Sequence, residues 1–206
     1  MEFILGIANY FTFSRILIAP LFLLVYLEHD FFNINNILLP YVLLTLLTIS
    51  ELSDAFDGYL ARKYNQVTDF GKVLDPMADS IARTSMFLTF TLDPVNLPVV
   101  LIFVLLYRDS IISTLRTVCA LKGYALAART SGKIKAVIQG IAVFVILLLM
   151  IPHSLGLLST ASLHTTSTTI VSIAAIYTVY SGVEYIYANW SYINRLLWIK
   201  RASTDP

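Results

Sequence analysis

The sequence predicts an all-α, polytopic membrane protein with six transmembrane helices. Hydrophobic residues make up 57% of the 206-residue chain and charged residues 13%, whereas soluble domains carry about 25% charged residues. The mean hydropathy is +0.76. Apolar runs recur along the whole chain without a linker or repeat, so residues 1–206 form one predicted domain, and each run is near or above the roughly 20 residues that cross a bilayer. The predicted spans are residues 5–28, 38–62, 70–92, 97–121, 134–154 and 165–193.

The distribution of basic residues predicts the orientation of these spans. Three alternate connections, near residues 29–37, 93–96 and 155–164, contain no Lys or Arg. The opposite side carries Lys63, Lys72, Lys122, Arg129, Lys133, Arg195, Lys200 and Arg201. By the positive-inside rule, both termini and the basic loops face the cytoplasm, as in a multi-pass protein of a bacterial inner membrane. The net charge of +1 predicts no bulk attraction to nucleic acid.

Polar residues at the start of the first and sixth spans refine this picture. Asn9, Thr12 and Arg15 fall three residues apart and share one face of the first helix. They could pack as a polar stripe against neighbouring helices, but Arg15 needs a partner at membrane depth, which favours a polar cavity open to the cytoplasm. The polar segment 159–169 predicts an external loop that runs into the sixth span.

Four aspartates of spans two and three form the main candidate site. Asp54 and Asp57 lie three residues apart near the end of span two, and Asp75 and Asp79 lie four apart near the start of span three, so each pair projects from one helix face. Asp54 comes about 24 Å along its helix from the external side, and Asp75 about 8 Å from the cytoplasmic side. In a core about 30 Å thick, the two pairs are therefore predicted to face each other just inside the cytoplasmic interface.

Four carboxylates at this spacing favour bound divalent cations. Their mutual repulsion opposes ionisation unless cations compensate for it. All-oxygen ligands without Cys or His suit Mg²⁺, Mn²⁺ or Ca²⁺ rather than zinc. Two such ions predict phosphoryl chemistry. The small residues Gly58, Ala61 and Gly71 beside the acids leave room for a ligand close to the backbone, although small residues also serve helix packing in membranes.

A second set of candidate residues is basic. Arg108 and Arg116 lie within span four, Arg129 precedes span five, and Lys133 and Lys135 open it. Positive-inside charge accounts for Arg129. It does not account for cations within the spans, which suit the phosphate group of a substrate.

The acidic segment resembles a known family signature. Residues 54–79 read D-x₂-D-G-x₂-A-R-x₈-G-x₃-D-x₃-D, which is similar at all eight fixed positions to the CDP-alcohol phosphotransferase family. The resemblance extends along most of the chain. It implies transfer of a substituted phosphate from a CDP-linked donor to an alcohol, with release of CMP, by an enzyme that is usually a homodimer.

The resemblance also implies roles for individual residues. The four aspartates would bind two divalent metal ions, Mg²⁺ or alternatively Mn²⁺, and Asp79 would be the general base. The CDP site would be lined by Asn9, Thr12, Asp54, Asp57, Gly58, Ala61, Arg62, Gly71 and Asp75. The acceptor's phosphate would contact Arg108, Arg116, Lys133 and Lys135.

Within the family, three stretches resemble the bacterial members that join CDP-diacylglycerol to glycerol 3-phosphate. These stretches are the Asn9–Thr12–Arg15 set, residues 60–72 and residues 132–139. The chain departs from those members at Ser80, where Lys is usual, and at Asp109, where Glu is usual. Inositol phosphate, inositol or serine is the alternative acceptor. An ion or metal transporter is the alternative outside enzymes, but the outer halves of spans two to five are nearly uncharged and offer no polar path.

Overall fold

The computed structural model describes residues 7–63, 69–121 and 129–197. Within these ranges the chain forms seven helices and no strand, so the predicted all-α class is confirmed. The helices are α1 (Ile7–Leu27), α2 (Leu39–Lys63), α3 (Asp69–Thr89), α4 (Val99–Leu121), α5 (Thr130–Ser154), α6 (Thr160–Ala188) and α7 (Trp190–Leu197). Each of the six predicted apolar runs corresponds to one long helix.

The six long helices pack in a closed order. Among the described residues, α1 packs against α2 and α3, α2 against α5, α5 against α6, α6 against α4, and α4 against α3. A further contact joins α3 to α5 across this ring. Both α2 and α3 pack against α1. The helices that carry the four aspartates are therefore both held by the first helix.

A hydrophobic core fills the half of the bundle away from the charged residues. Phe22 and Tyr26 of α1 pack edge-on against Phe90, with ring centroids 6.0 Å and 6.2 Å apart. Leu43 of α2 and Ile146 of α5 are fully buried in the same cluster. Large aromatic side chains in edge-to-face contact contribute about 0.5–1.5 kcal/mol beyond their buried area, so this cluster fixes how α1 meets the end of α3.

The sixth helix begins earlier than the sequence predicted, and this boundary was wrong. Segment 159–169 was predicted as an external loop that runs into a sixth span from residue 165, but α6 starts at Thr160, with Ser159 as its N-cap accepting a bond from the Ser162 amide. The hydroxyls of Thr165 and Thr169 donate to the carbonyls four residues earlier, both at 2.8 Å. These internal bonds satisfy the hydroxyl groups, so a Ser- and Thr-rich segment continues the helix.

Two helices meet the usual length and composition of a membrane span in the part of the chain that the structure describes. They are Thr130–Ser154 and Thr160–Ala188, and shorter apolar helices occupy Phe13–Leu27 and Leu39–Ser53. Helices α3 and α4 carry charged side chains such as Asp79, Arg83, Arg108 and Asp109. The six-span topology therefore stays a prediction.

The distribution of exposed and buried residues resembles that of a membrane protein. Large apolar side chains are exposed along α4, α5 and α6, among them Phe103, Phe144 and Ile176. Polar side chains such as Lys135 and Gln139 are buried instead. Extended apolar surface of this kind marks contact with lipid or with another protein.

Candidate active site

The helices place the four aspartates at the predicted spacing. Asp54 and Asp57 lie within α2, and Asp75 and Asp79 lie within α3. The side chains of Asp54, Asp57 and Asp75 lie outside the described side chains, as do those of Asn9, Thr12, Gly58, Ala61, Arg62 and Gly71. The metal and CDP sites predicted on them stay predictions, and the described side chains alone contain no cluster of three potential metal ligands.

Asp79 is held by a buried arginine from the first helix. The Nη1 atom of Arg15 donates to Oδ1 of Asp79 at 2.5 Å. The Arg15 residue is only 1% exposed, whereas the Asp79 side chain is 38% exposed. A charged donor that is buried against a carboxylate fixes its orientation. Asp79 is therefore held by Arg15 on one side and accessible on another. Arg15 in turn has the partner that the sequence analysis predicted for an arginine at membrane depth.

Basic residues of α4 and α5 meet at one carboxylate, that of Asp109, the sequence neighbour of Arg108. Nζ of Lys135 lies 2.7 Å from both Oδ1 and Oδ2 of Asp109. Nη1 of Arg108 donates to Oδ1 of Asp109 at 3.0 Å, and its Nη2 donates to the Ser181 hydroxyl of α6 at 2.9 Å. We call Arg108, Lys135 and Asp109 the basic cluster. It joins three helices at one point.

A glycine of α6 makes room for Arg108. A Cβ atom built on Gly182 would lie 2.9 Å from Cγ of Arg108. Non-bonded carbon atoms do not approach this closely, so any larger residue at position 182 would force the Arg108 stem to move. Ser181 and Gly182 therefore set the direction of the Arg108 guanidinium.

The other two predicted acceptor residues lie apart from this cluster. Arg116 and Lys133 are both exposed, and neither forms an ion pair or hydrogen bond with the side chains that the structure describes. Arg116 follows Arg108 by about two helical turns, and Lys133 points away from Lys135 because residues two apart lie on different helix faces. The structure brings together Arg108 and Lys135, and their predicted contact with a phosphate stays a prediction.

Two further charged residues tie α5 to its neighbours and were missed from the sequence. Nη1 of Arg83 on α3 donates to the Ala136 carbonyl of α5 at 2.5 Å. Glu184 on α6 accepts from the Ser131 hydroxyl and lies 3.8 Å from Arg129. Arg83 and Glu184 could have been identified from the sequence, because each is a charged residue within an otherwise apolar span.

A cavity with a mixed lining lies beside Asp109, and its apolar lining residues are Met77, Ile81 and Leu106. It measures about 420 Å³ between α3 and α4. Its polar lining is Ser80, Thr84, Ser85, Asp109, Ser110, Ser113 and Thr114. The cavity therefore places hydroxyl groups next to both the basic cluster and the helix of Asp79.

Comparison with known proteins decides the family. The profile of the CDP-alcohol phosphatidyltransferase family matches residues 5–181, which is most of the chain. The chain belongs to this family. The resemblance noted at residues 54–79 is thereby confirmed.

Relatives within the CDP-alcohol phosphatidyltransferase family carry concordant names. A Bacillus subtilis (strain 168) protein named CDP-diacylglycerol--glycerol-3-phosphate 3-phosphatidyltransferase is 34% identical over 194 residues, which cover 90% of this chain and 95% of the relative. A Rickettsia felis protein of the same name is 32% identical over 69% of this chain and 75% of its own length. A Mycobacterium tuberculosis (strain H37Rv) protein named probable phosphatidylglycerophosphate synthase is 27% identical over 89% of this chain and 81% of its own length.

The donor set of the predicted metal site suits the family's chemistry. Helical backbone at Asp54, Asp57, Asp75 and Asp79 keeps the two members of each pair on one face. Carboxylate oxygens are the ligands that Mg²⁺ and Mn²⁺ prefer. The residue types at these four positions are therefore ones that suit a divalent metal ion, and the metal site itself stays a prediction. The family and the two long apolar helices together indicate association with a membrane.

Proposed function

We propose that this protein transfers the phosphatidyl group of CDP-diacylglycerol to sn-glycerol 3-phosphate, giving phosphatidylglycerophosphate and CMP. The observation that carries the proposal is the relative from Bacillus subtilis, which aligns over 90% of this chain and bears that activity in its name. The basic cluster supports the choice of acceptor, because it brings together two cations, Arg108 and Lys135, of the kind that bind a phosphate group.

The reaction is proposed to occur at the cytoplasmic side of a bacterial inner membrane. The proposal includes six spans, cytoplasmic termini and a homodimer. A lipid donor explains a site built on membrane helices, and a water-soluble acceptor explains an opening to the cytoplasm. Reaction of cysteine-substituted terminal and loop positions with a membrane-impermeant thiol reagent, in intact and opened cells, tests the topology. Labelling of the termini from outside intact cells would contradict it.

The residues divide the chemistry between them. Asp79 takes the proton of an acceptor hydroxyl, whose oxygen then bonds to the phosphorus of the phosphatidyl group as the bond to CMP breaks. Arg15 holds Oδ1 of Asp79 during this step. Asp54, Asp57, Asp75 and Asp79 would hold two divalent ions, Mg²⁺ or Mn²⁺, which neutralise the pyrophosphate charge when bound. Asn9, Thr12, Gly58, Ala61, Arg62 and Gly71 complete the proposed CDP site.

The acceptor's phosphate is proposed to contact Arg108, Arg116, Lys133 and Lys135. Asp109 holds the Arg108 and Lys135 side chains in place before substrate arrives. Charge-assisted hydrogen bonds to a phosphate are each worth about 1.5–3 kcal/mol. This interaction orients the acceptor hydroxyl toward Asp79.

An acceptor assay tests the proposed function directly. The purified protein is supplied with CDP-diacylglycerol, Mg²⁺ and one alcohol at a time, and CMP release is measured. We expect glycerol 3-phosphate to give at least tenfold faster release than inositol, serine or inositol phosphate. Faster release with inositol phosphate would assign the protein to a different acceptor, and omission of Mg²⁺ with a chelator is expected to stop release.

Substitution of Gly182 with Ala is expected to weaken acceptor binding. The added methyl group would displace the Arg108 stem, since its Cβ would lie 2.9 Å from Cγ, and a misplacement of about 1 Å can cost about a hundredfold in rate. We expect KM for glycerol 3-phosphate to rise about five- to tenfold. Gly140→Ala is the matched control because nothing lies within 4 Å of its added Cβ. Equal kinetics for the two variants would show that Arg108 tolerates the methyl group without loss.

A further inference from the structure

Arg83 is a third cation beside the basic cluster. It lies on α3 one helical turn after Asp79, and its Nη1 donates to the Ala136 carbonyl, next to Lys135. Within the described part of the chain Arg83 forms no ion pair with a carboxylate. Together with Arg108 it lies close enough to Lys135 for electrostatic interaction.

The charges at this point do not balance among the described side chains. Arg83, Arg108 and Lys135 bring three positive charges, and Asp109 brings one negative charge. The two other carboxylates nearby have partners of their own. Asp79 is paired with Arg15, and Glu184 with Ser131 and Arg129. Counted over the described side chains alone, the meeting point of α3, α4 and α5 therefore carries a formal charge of +2.

A surplus of two positive charges among these described side chains favours a dianionic ligand. Unpaired charge in a medium of low dielectric constant is unfavourable until a counter-charge arrives. A phosphomonoester carries about −1.5 to −2 at pH 7, which matches the surplus. An unphosphorylated alcohol brings no charge and leaves the surplus in place.

We propose that Arg83 is a specificity-determining residue that binds the phosphate of a phosphorylated acceptor together with Arg108 and Lys135. This inference rests on the proposed function, because it names the acceptor class at the same site. The bond to Ala136 uses one of the five N–H donors of the guanidinium. The others remain for an oxygen-rich ligand, and the planar fork of Arg suits phosphate. The same bond keeps the guanidinium beside Lys135.

Substitution of Arg83 with Gln tests the proposal, because it should change KM for the acceptor and not KM for the lipid donor. We expect KM for glycerol 3-phosphate to rise roughly tenfold to a hundredfold, because one charge-assisted hydrogen bond is lost. KM for CDP-diacylglycerol is expected to stay within about twofold. Arg83→Lys keeps the charge and a donor for Ala136 and is expected to fall between Arg83→Gln and the unaltered protein. Arg129→Gln is the matched control, with an unchanged KM for glycerol 3-phosphate.

An unchanged KM for glycerol 3-phosphate in Arg83→Gln, with kcat or stability lowered, would overturn the proposal and leave Arg83 as a tether between α3 and α5. If Arg83→Gln does not fold, the proposal is tested by measuring how strongly inorganic phosphate inhibits Arg83→Lys and the unaltered protein. A severalfold weaker inhibition than in the unaltered protein is expected, and equal inhibition overturns the proposal.

Different experimental outcomes would disprove the proposed function and this inference. An unaltered protein that prefers inositol phosphate disproves the glycerol 3-phosphate assignment but supports a phosphate site at Arg83. An unaltered protein that uses an unphosphorylated alcohol, and that inorganic phosphate does not inhibit, overturns both.

Discussion

Replacement of Asp79 with Asn is expected to reduce CMP release by at least about a hundredfold. An amide cannot accept the acceptor's proton, and general base catalysis contributes about 10²–10⁴-fold to rates. The side chain is 38% exposed, so the protein is expected to stay folded. The measurement is CMP release at saturating substrates, together with size-exclusion elution in detergent.

The matched control for Asp79 is Asp30→Asn. The Asp30 side chain is 95% exposed and lies in the connection between α1 and α2, far along the chain from the proposed site. This variant is expected to keep full activity. Activity of Asp79→Asn within tenfold of the unaltered protein would remove Asp79 from the role of base and direct attention to the other three aspartates.

Replacement of Arg15 with Gln is expected to lower both stability and kcat. Loss of one partner of a buried ion pair costs about 3–5 kcal/mol, and the lower end applies because Asp79 is partly exposed. We also expect kcat to fall at least about tenfold, since Asp79 loses the contact that fixes its orientation. KM for glycerol 3-phosphate is expected to change little. Thermal unfolding in detergent and steady-state kinetics measure the two effects.

Two comparisons isolate the role of Arg15. Arg129→Gln breaks a pair at 3.8 Å whose arginine side chain is 44% exposed, and such pairs are worth under about 1 kcal/mol. The double variant Arg15→Gln/Asp79→Asn measures the coupling between the partners. Strictly additive losses of stability in the double variant would show that Arg15 and Asp79 do not act as a pair.

The sequence was sufficient for the helices and the spacing of the acids. Long apolar runs predict helices whether or not their packing is known, and the i, i+3 and i, i+4 spacing of the aspartates follows from helix geometry alone. Family membership followed from the same residues, because eight positions at fixed spacing are specific.

The sequence alone could not predict which charged residues pair between distant helices. Arg15 and Asp79 are 64 residues apart, and Asp109 and Lys135 are 26 apart. Which charged residue meets which depends on how the helices are arranged, and periodicity within one helix carries no information on this point. The need of Arg15 for a partner could be predicted, but the identity of Asp79 as that partner could not.

The start of α6 shows a different limit. Segment 159–169 is rich in Ser and Thr, residues that compete with the backbone for hydrogen bonds and so predict a loop. In the structure the Thr165 and Thr169 hydroxyls turn back to carbonyls of the same helix. The hydroxyl groups are therefore satisfied within the helix, and the segment remains helical.

The ring of helices divides the proposed site between the two halves of the chain. The acids and Arg15 lie on α1, α2 and α3, whereas Arg108, Asp109, Lys135 and Ser181 lie on α4, α5 and α6. Arg83 reaches from the first half to the second through a backbone carbonyl. Under the proposed function, substitutions in α4–α6 and at Arg83 can therefore change which alcohol is used without altering Arg15 or the four aspartates, so a library of variants for new head groups belongs at these positions.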